Sequence, residues 1–274
     1  MATTAPKSAE SVRTLRTDAW WVQPLLTVLV LTGFIAYATY RTFENNFFLA
    51  ELTWVNGAWQ KSQMYLDGNV GHLLSPFYSP LFLVDWRVMG YYISPAILIL
   101  PFPLSFRLTC YYYRKAYYRS FFGSPPACAV KGTTKKSYRG EQVFPFVIQN
   151  LHRYAFYAAF AFIFILSYDV ILSMKYIDGW GISLGTLVLL LNVVLLAGYT
   201  FGCHSFRHLI GGKVNCYSCS LANKTKYGLW RKATFLNDRH ALFAWTSLFG
   251  VAFADLYVRM VCSGVFADPV FVKF

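Results

Sequence analysis

Histidine and cysteine are the residues of this sequence whose types and positions could carry chemistry. The chain has five histidines and six cysteines. Imidazole nitrogens and thiolate sulfurs are ligands that iron, copper and zinc accept in proteins. All of them except His72 and Cys262 stand at one end of long apolar runs or in the basic loops joining those ends. These residues are His152, His204, His208, His240, Cys110, Cys128, Cys203, Cys216 and Cys219.

The composition determines which elements must position these residues. Hydrophobic residues make up 56% of the 274 residues and charged residues 14%, against about 45–50% and about 25% in soluble domains. A chain this apolar has too little polar surface to cover a water-soluble globule. A soluble enzyme, a secreted disulfide scaffold and a disordered chain are therefore excluded. The net charge of +13 does not indicate a nucleic-acid partner, because the basic residues lie in blocks between apolar runs.

Five apolar runs are each about 20 residues long, the length needed to cross a bilayer. They should be helices, because a helix satisfies its own backbone hydrogen bonds in lipid. The sequence thus predicts an all-α membrane protein, a bundle of five transmembrane helices over residues 20–263. A tail of residues 1–19 precedes the bundle and a tail of residues 264–274 follows it. The predicted spans are about 20–40, 88–108, 151–173, 182–203 and 241–262.

The basic residues predict the orientation of the bundle. Of the 25 lysines and arginines, 19 fall on the side that holds the N-terminal tail, the loop after the second span and the loop after the fourth. Loops rich in lysine and arginine stay in the cytoplasm, and anionic lipid headgroups attract them there. We therefore expect a multi-pass protein of a bacterial cytoplasmic membrane with its N-terminus inside and its C-terminus outside. All of the candidate ligands except His72 and Cys262 then lie on the inner side.

Four histidines and several thiols at one depth favour a redox metal site. A Rieske-type [2Fe–2S] cluster takes two cysteines and two histidines and is the favoured cofactor. Haem b between two facing histidines is the alternative, although the outer halves of the spans have no histidine for a second haem. The isolated Cys216–Cys219 spacing is a weak metal signal, and we expect no disulfide on a reducing side. The candidate metal ligands are two of Cys110, Cys128 and Cys203 with two of His152, His204 and His240.

Several segments resemble the single membrane-anchor subunit of the actinobacterial-type (type F) succinate dehydrogenase, respiratory complex II. The resemblance covers essentially the whole chain. Its motifs are Leu15-Arg-Thr-Asp-Ala-Trp-Trp21, Cys110-Tyr-Tyr-Tyr-Arg-Lys-Ala-Tyr-Tyr-Arg119, Ser124-Pro-Pro-Ala-Cys128, Leu151-His-Arg-Tyr154 and Cys203-His-Ser-Phe-Arg-His208.

The resemblance implies a subunit of a succinate:quinone oxidoreductase that is not catalytically complete alone. A flavoprotein subunit would oxidise succinate, an iron–sulfur subunit would relay the electrons, and this chain would pass them to quinone. Both soluble subunits would dock on the basic cytoplasmic face, beside the Cys/His redox centre and the quinone site. The residues at the right depth to line a quinone headgroup are Trp20, Trp21, Arg153, His208 and Trp245.

Two other functions stay open at this point. One is a single-haem-b anchor of a fumarate reductase-like complex, and the other is a membrane transporter without a redox centre. Transporters tend to have internal repeats and paired broken helices, whereas here the one proline-broken span has no counterpart. On the predicted fifth span, Asp255 and Arg259 are four residues apart, which predicts an ion pair.

Overall fold

The computed structural model describes residues 16–55, 58–83, 87–88, 91–132, 142–144, 146–212 and 214–274. Most of the predicted tail 1–19 and the two residues 89–90 of the second predicted span lie outside this part of the chain. The described helices are α1 (Val22–Glu44), α2 (Gln63–Leu66), α3 (Ala96–Ile99), α4 (Pro101–Thr109), α5 (Tyr111–Phe121), α6 (His152–Ser173), α7 (Leu184–Phe201), α8 (His204–Gly211), α9 (Leu221–Asp238) and α10 (His240–Cys262).

Four of the described helices are long and apolar enough to cross a membrane: α1, α6 with its preceding 3-10 turn, α7 and α10. α6 has 22 residues, which at 1.5 Å per residue gives about 33 Å. Four predicted spans are thus found within a few residues of their expected positions. The structure therefore confirms the prediction of a mostly helical membrane protein.

The second predicted span, 88–108, is not one continuous helix. Its apolar helical part, Ala96–Thr109, is shorter than a span and is divided into α3 and α4. Proline lacks an N–H and clashes with the preceding turn, so it starts helices and does not continue them. Pro95 caps α3 and Pro101 begins α4. The prediction of five full-length spanning helices is not met at this position.

The helices pack unevenly. α7 lies against α6 and α10, and α4 lies against α6. Facing side chains of α6, α7 and α10 form one buried cluster around Leu166, Leu189 and Val258, whereas Phe106 of α4 belongs to a second one. Thr42 is the one residue of α1 that is buried, and α1 rests mainly on α5. α1 therefore stands at the edge of the bundle and borders a cavity.

The end of the bundle that holds residues 45–83 is covered by short irregular elements. They are the β1–β2 hairpin (Leu52–Val55 and Ala58–Lys61), α2, a 3-10 turn at Pro76–Tyr78, the β3–β4 pair (Arg87–Val88 and Tyr91–Tyr92), and a three-stranded antiparallel sheet of β5 (Lys175–Tyr176), β6 (Gly179–Ser183) and β7 (Val270–Lys273). Phe48, Leu74 and Phe77 are buried there. The chain between α1 and α3 is thus part of the core, which the sequence did not indicate.

The predicted ion pair on α10 is present at this same end. The Arg259 Nε lies 2.9 Å from an Asp255 carboxylate oxygen, and its guanidinium also donates to Glu44 of α1 at 2.9 Å. Both Asp255 and Arg259 are buried. The network ties α1 to α10 across the bundle.

Candidate functional site

Four of the six candidate metal ligands come together at the end of the bundle opposite the Asp255 network. Each is placed by the end of a helix. Cys110 has an extended conformation between α4 and α5, and Cys203 is the N-cap of α8. His152 and His240 are the first residues of α6 and α10. We call these four residues the Cys/His cluster.

The cluster consists of two cysteine–histidine pairs. The His152 Nε2 lies 3.0 Å from the Cys203 Sγ, and the His240 Nε2 lies 3.5 Å from the Cys110 Sγ. Both cysteines are buried, with an exposed fraction of 3% for Cys110 and 1% for Cys203. Both belong to one buried group of side chains. Two thiols and two imidazoles therefore face one another in a water-poor region.

Aromatic rings hold the two imidazoles in place. Phe106 stacks on His152 with ring centroids 5.0 Å apart, and Tyr199 stacks on His240 at 4.9 Å. Phe106 and Tyr199 meet edge to face at 5.2 Å. A continuous row of four rings thus connects the pairs, and it fixes both imidazole planes before any ligand binds.

A cation stands next to this row. The Arg107 guanidinium lies 4.9 Å from the centre of the Tyr199 ring. It donates to the Tyr113 hydroxyl at 2.6 Å, the Ala244 carbonyl at 3.2 Å and the Ser247 hydroxyl at 3.0 Å. In the described residues no carboxylate pairs with Arg107. Its charge can therefore stabilise negative charge that arises at the cluster or in the space beside it.

Two buried polar atoms of the cluster region lack a hydrogen-bond partner in the part of the chain that is described. They are the His240 Nδ1 and the Tyr199 hydroxyl oxygen. Burial also raises the pKa of the Cys203 thiol to about 11, and the neighbouring Cys110 adds to the effect. A bound metal would take the place of that thiol proton. Unpartnered buried groups are uncommon in folded proteins and call for an explanation such as a missing ligand.

The other two candidate ligands lie away from the cluster. Cys128 is an exposed free thiol, and its carbonyl accepts a hydrogen bond from Arg16. His204 is exposed on α8, where its ring lies 6.2 Å from that of His208. His204 follows Cys203 directly, and because Cys203 is the extended N-cap of α8, the two neighbouring side chains point in different directions. The buried position of Cys203 therefore directs His204 outward.

Cys216 and Cys219 form a disulfide, which corrects the expectation that this side of the protein would have none. Their Cα atoms are 5.6 Å apart, within the usual range for a bridged pair. The three-residue separation in the loop before α9 permits this approach. The bridge takes these two thiols out of consideration as metal ligands.

No group of three or more histidine, cysteine, aspartate or glutamate residues in the described ranges converges on a point that could hold one metal ion. The Cys/His cluster is arranged as two pairs, and each pair supplies one sulfur and one nitrogen.

A cavity of about 550 Å³ adjoins the cluster. Its walls are mainly apolar side chains of α1, α3, α4, α6, α7 and α10, and it extends toward Thr42 and Pro76 near the other end. Its polar groups at the cluster end are Arg107, Tyr113 and Tyr199. The cavity thus reaches the residues that pack against the cluster and opens beside the loosely packed α1.

None of the five residues predicted to line a quinone site lines this cavity. Arg153 and His208 line a second pocket of about 370 Å³. Trp245 donates a hydrogen bond to the Tyr112 hydroxyl at 2.9 Å. Trp21 is 53% exposed and Trp20 stands beside it before α1. These residues were predicted from their expected depth in the membrane. Depth alone does not determine the direction in which a side chain points.

Sequence reasoning missed Phe106, Arg107, Thr109 and Tyr199, which pack against the cluster. None of them belongs to a recognisable motif. Only the position of Arg107 in a span could have drawn notice, because charged residues are rare there.

The fold and the cluster together define a helical membrane subunit that gathers thiol and imidazole ligands at one end of its bundle, beside an apolar cavity. A family model for the actinobacterial succinate dehydrogenase subunit SdhC matches residues 22–264. A chain of the Mycobacterium smegmatis Sdh1 complex in the apo form is similar, with 40% sequence identity and a TM-score of 0.80 over 98% of each chain. No curated protein matches. The chain belongs to the family of actinobacterial succinate dehydrogenase membrane subunits.

This membership confirms the prediction of a subunit of succinate dehydrogenase in a bacterial membrane. Its partners are the flavoprotein and the iron–sulfur subunit, together with the membrane and quinone. The alternative of a membrane transporter is excluded.

Proposed function

We propose that this chain is the quinone-reducing anchor of the complex and that Cys110, Cys203, His152 and His240 hold a Rieske-type [2Fe–2S] cluster. The observation that carries the proposal is that two cysteines and two histidines lie together at one buried end of the bundle, with Cys110 and Cys203 in the same buried group of side chains. Such a cluster transfers single electrons at a raised potential, because two histidines replace two cysteines on one iron.

The donor set supports this cluster over a single metal ion. A Rieske cluster distributes two thiolates and two imidazoles over two irons, so three ligands need not surround one point. The unpartnered Tyr199 hydroxyl is a further sign of a site that a bound group completes.

Haem b is the weaker alternative for this site. A bis-histidine haem needs two imidazoles facing each other across the macrocycle, with no sulfur at either nitrogen. Here both Nε2 atoms lie against thiols, and Phe106 and Tyr199 cover the imidazole faces. A haem would leave the two buried thiols of the cluster without a role.

We further propose that quinone binds in the 550 Å³ cavity. This site differs from the one expected at the five residues that were chosen by their depth in the membrane. Binding sites for such molecules are mainly apolar, with a few placed polar groups. The apolar walls suit the ring and the isoprenoid tail, and the loosely packed α1 offers a route from the lipid. The Arg107 guanidinium would donate to a quinone carbonyl and favour negative charge on its oxygen.

The soluble subunits are proposed to dock at the cluster end, on the predicted cytoplasmic face. The helices α5 and α9 lie at this end and carry many of the basic residues of the inner loops. Their exposed cations include Lys115, Lys224, Lys226, Arg231 and Lys232. This placement brings the iron–sulfur subunit next to the Cys/His cluster.

The test compares ligand variants with matched controls in the purified, intact complex. Cys110→Ala and His240→Ala remove proposed ligands, whereas Cys128→Ala and His204→Ala remove the two candidates that lie on the surface. Low-temperature EPR and assays of iron and labile sulfide report the cluster. Succinate oxidation is measured with an artificial acceptor and with quinone.

We expect the first two variants to lose the cluster signal and quinone reduction, and to keep succinate oxidation with the artificial acceptor. The two controls should match the wild type in every readout. Wild-type cluster signals in Cys110→Ala and His240→Ala, or a b-type haem band in the reduced wild-type complex with no change in Cys110→Ala, would overturn the assignment.

A further inference from the structure

We infer that Thr109 is a positioning residue that fixes the tautomer of His152 and so directs the His152 Nε2 at the metal. The inference rests on the proposed cluster and adds a residue that touches neither iron nor quinone. Thr109 is buried and directly precedes Cys110. Its hydroxyl oxygen lies 2.8 Å from the His152 Nδ1.

The direction of this hydrogen bond follows from the other partner of the hydroxyl. The Thr109 Oγ1 lies 2.7 Å from the Ser105 carbonyl oxygen, and a carbonyl can only accept. The single hydroxyl hydrogen is therefore given to Ser105, in the way threonines in helices commonly bond the carbonyl four residues back. The remaining lone pairs of the oxygen can only accept, so the His152 Nδ1 must carry the hydrogen.

The consequence for His152 is that its Nε2 has a free lone pair. That atom lies 3.0 Å from the Cys203 Sγ, which is where a metal ligand is needed. Phe106 stacks on the same imidazole with an interplanar angle of 4°. The end of α4 thus sets both the plane and the tautomer of His152, and its next residue is the proposed ligand Cys110.

The two histidines differ in this respect. The His240 Nδ1 has no hydrogen-bond partner in the described residues, whereas the His152 Nδ1 is held by Thr109. Partners of the outer nitrogen orient a ligating histidine, and their removal typically costs about 10–100-fold in metal affinity or activity. A change at Thr109 should therefore affect one of the two histidine ligands.

The experiment uses Thr109→Val, which keeps the branched shape without the hydroxyl, and Thr109→Ser, which keeps the hydroxyl without the methyl group. Thr246→Val is the matched control, because the Thr246 hydroxyl also donates to the carbonyl four residues back, at 2.8 Å, and within the described part of the chain no histidine bonds to it. The readouts on the intact complex are the nitrogen hyperfine couplings in pulsed EPR and cluster retention during exposure to a chelator. Histidine couplings separate this cluster from clusters with cysteine ligands alone.

In Thr109→Val we expect a shift in one of the two histidine nitrogen couplings and about 10–100-fold weaker cluster retention. Thr109→Ser should restore both toward the wild type, and Thr246→Val should leave both unchanged. Wild-type couplings and retention in Thr109→Val would overturn the inference, as would equal losses in Thr109→Val and Thr109→Ser. Failure of the proposed function is seen separately, as a wild-type complex that has no histidine-coupled cluster or keeps it in Cys110→Ala.

Discussion

The buried ion pair between Asp255 and Arg259 should show strong coupling when it is mutated. Asp255 is 0% exposed and accepts hydrogen bonds from Tyr37 at 2.6 Å, from Ser75 and from Arg259. Arg259 also holds Glu44. Because α1 has little other buried contact with the bundle, this network fixes the wall of the cavity at the end far from the cluster.

The expected magnitude follows from what each substitution leaves behind. Arg259→Gln leaves a buried carboxylate with two hydroxyl donors, and Asp255→Asn leaves a buried guanidinium with one carboxylate. Breaking a buried pair from one side costs about 3–5 kcal/mol, and the remaining partners place each single variant near the lower limit. In the double variant neither charge is left without its partner, so its loss should fall below the sum of the singles by about 0.5–3 kcal/mol.

The assay follows the tagged subunit in the solubilised complex as the temperature is raised. A loss of about 3 kcal/mol should lower the apparent melting temperature by roughly 6–12 °C in a protein of this size. Unfolding of such a complex is irreversible, so the variants are compared at one heating rate. Asp178→Asn is the control, because it breaks the exposed ion pair with Lys273 and should cause no measurable change.

Additive losses in the double variant, or single variants as stable as the control, would refute this reasoning. Additivity would mean that the two residues stabilise the bundle independently. Unchanged single variants would mean that the pair is solvated or absent in the membrane.

Other parts of the molecule give three further predictions. Leu104→Trp should fill part of the cavity and raise KM for quinone about tenfold, equivalent to roughly 1.4 kcal/mol, while quinone-independent succinate oxidation stays constant in steady-state kinetics. Tyr199→Phe should lower the midpoint potential of the cluster in an EPR-monitored titration, because the unpartnered Tyr199 hydroxyl lies beside Cys110 and would donate to its thiolate once metal is bound, and hydrogen bonds to ligating sulfurs tune the potential. A reporter fused after Phe274 should be periplasmic and one inserted at residue 131 cytoplasmic, as measured by alkaline phosphatase activity in cells; the reverse pattern would contradict the predicted orientation.

The spanning helices could be predicted from the sequence because hydropathy reports their physical cause directly. A backbone in lipid must satisfy its own hydrogen bonds, and a run such as 151–173 has the length and apolarity to do so as the helix His152–Ser173. The run 88–108 is equally apolar, but Pro95, Pro101 and Pro103 prevent one continuous helix. Hydropathy averages over these residues and does not detect the break.

The site could be predicted in part. The depth of a residue follows from its position relative to a span, so Cys110, Cys203, His152 and His240 were among the candidates. The direction of a side chain depends on helix rotation and on which neighbours it packs against. That information separates Cys203 from the adjacent His204, and it comes only from tertiary packing. The same limit applies to Thr109, whose role depends on a contact with a residue 43 positions away.

Arg107 places a positive charge between the Cys/His cluster and the cavity. Three neutral hydrogen-bond acceptors and the Tyr199 ring surround this half-buried guanidinium, but no carboxylate of the described residues supplies a compensating negative charge. Neutral thiols and an apolar cavity do not supply one either. Metal binding would convert Cys110 and Cys203 to thiolates, and reduction of a cofactor or of a quinone would add negative charge at the same end. Under the proposed assignment the arginine would lie beside these negative charges, and its position between the Tyr199 ring and the cavity would let one cation serve both.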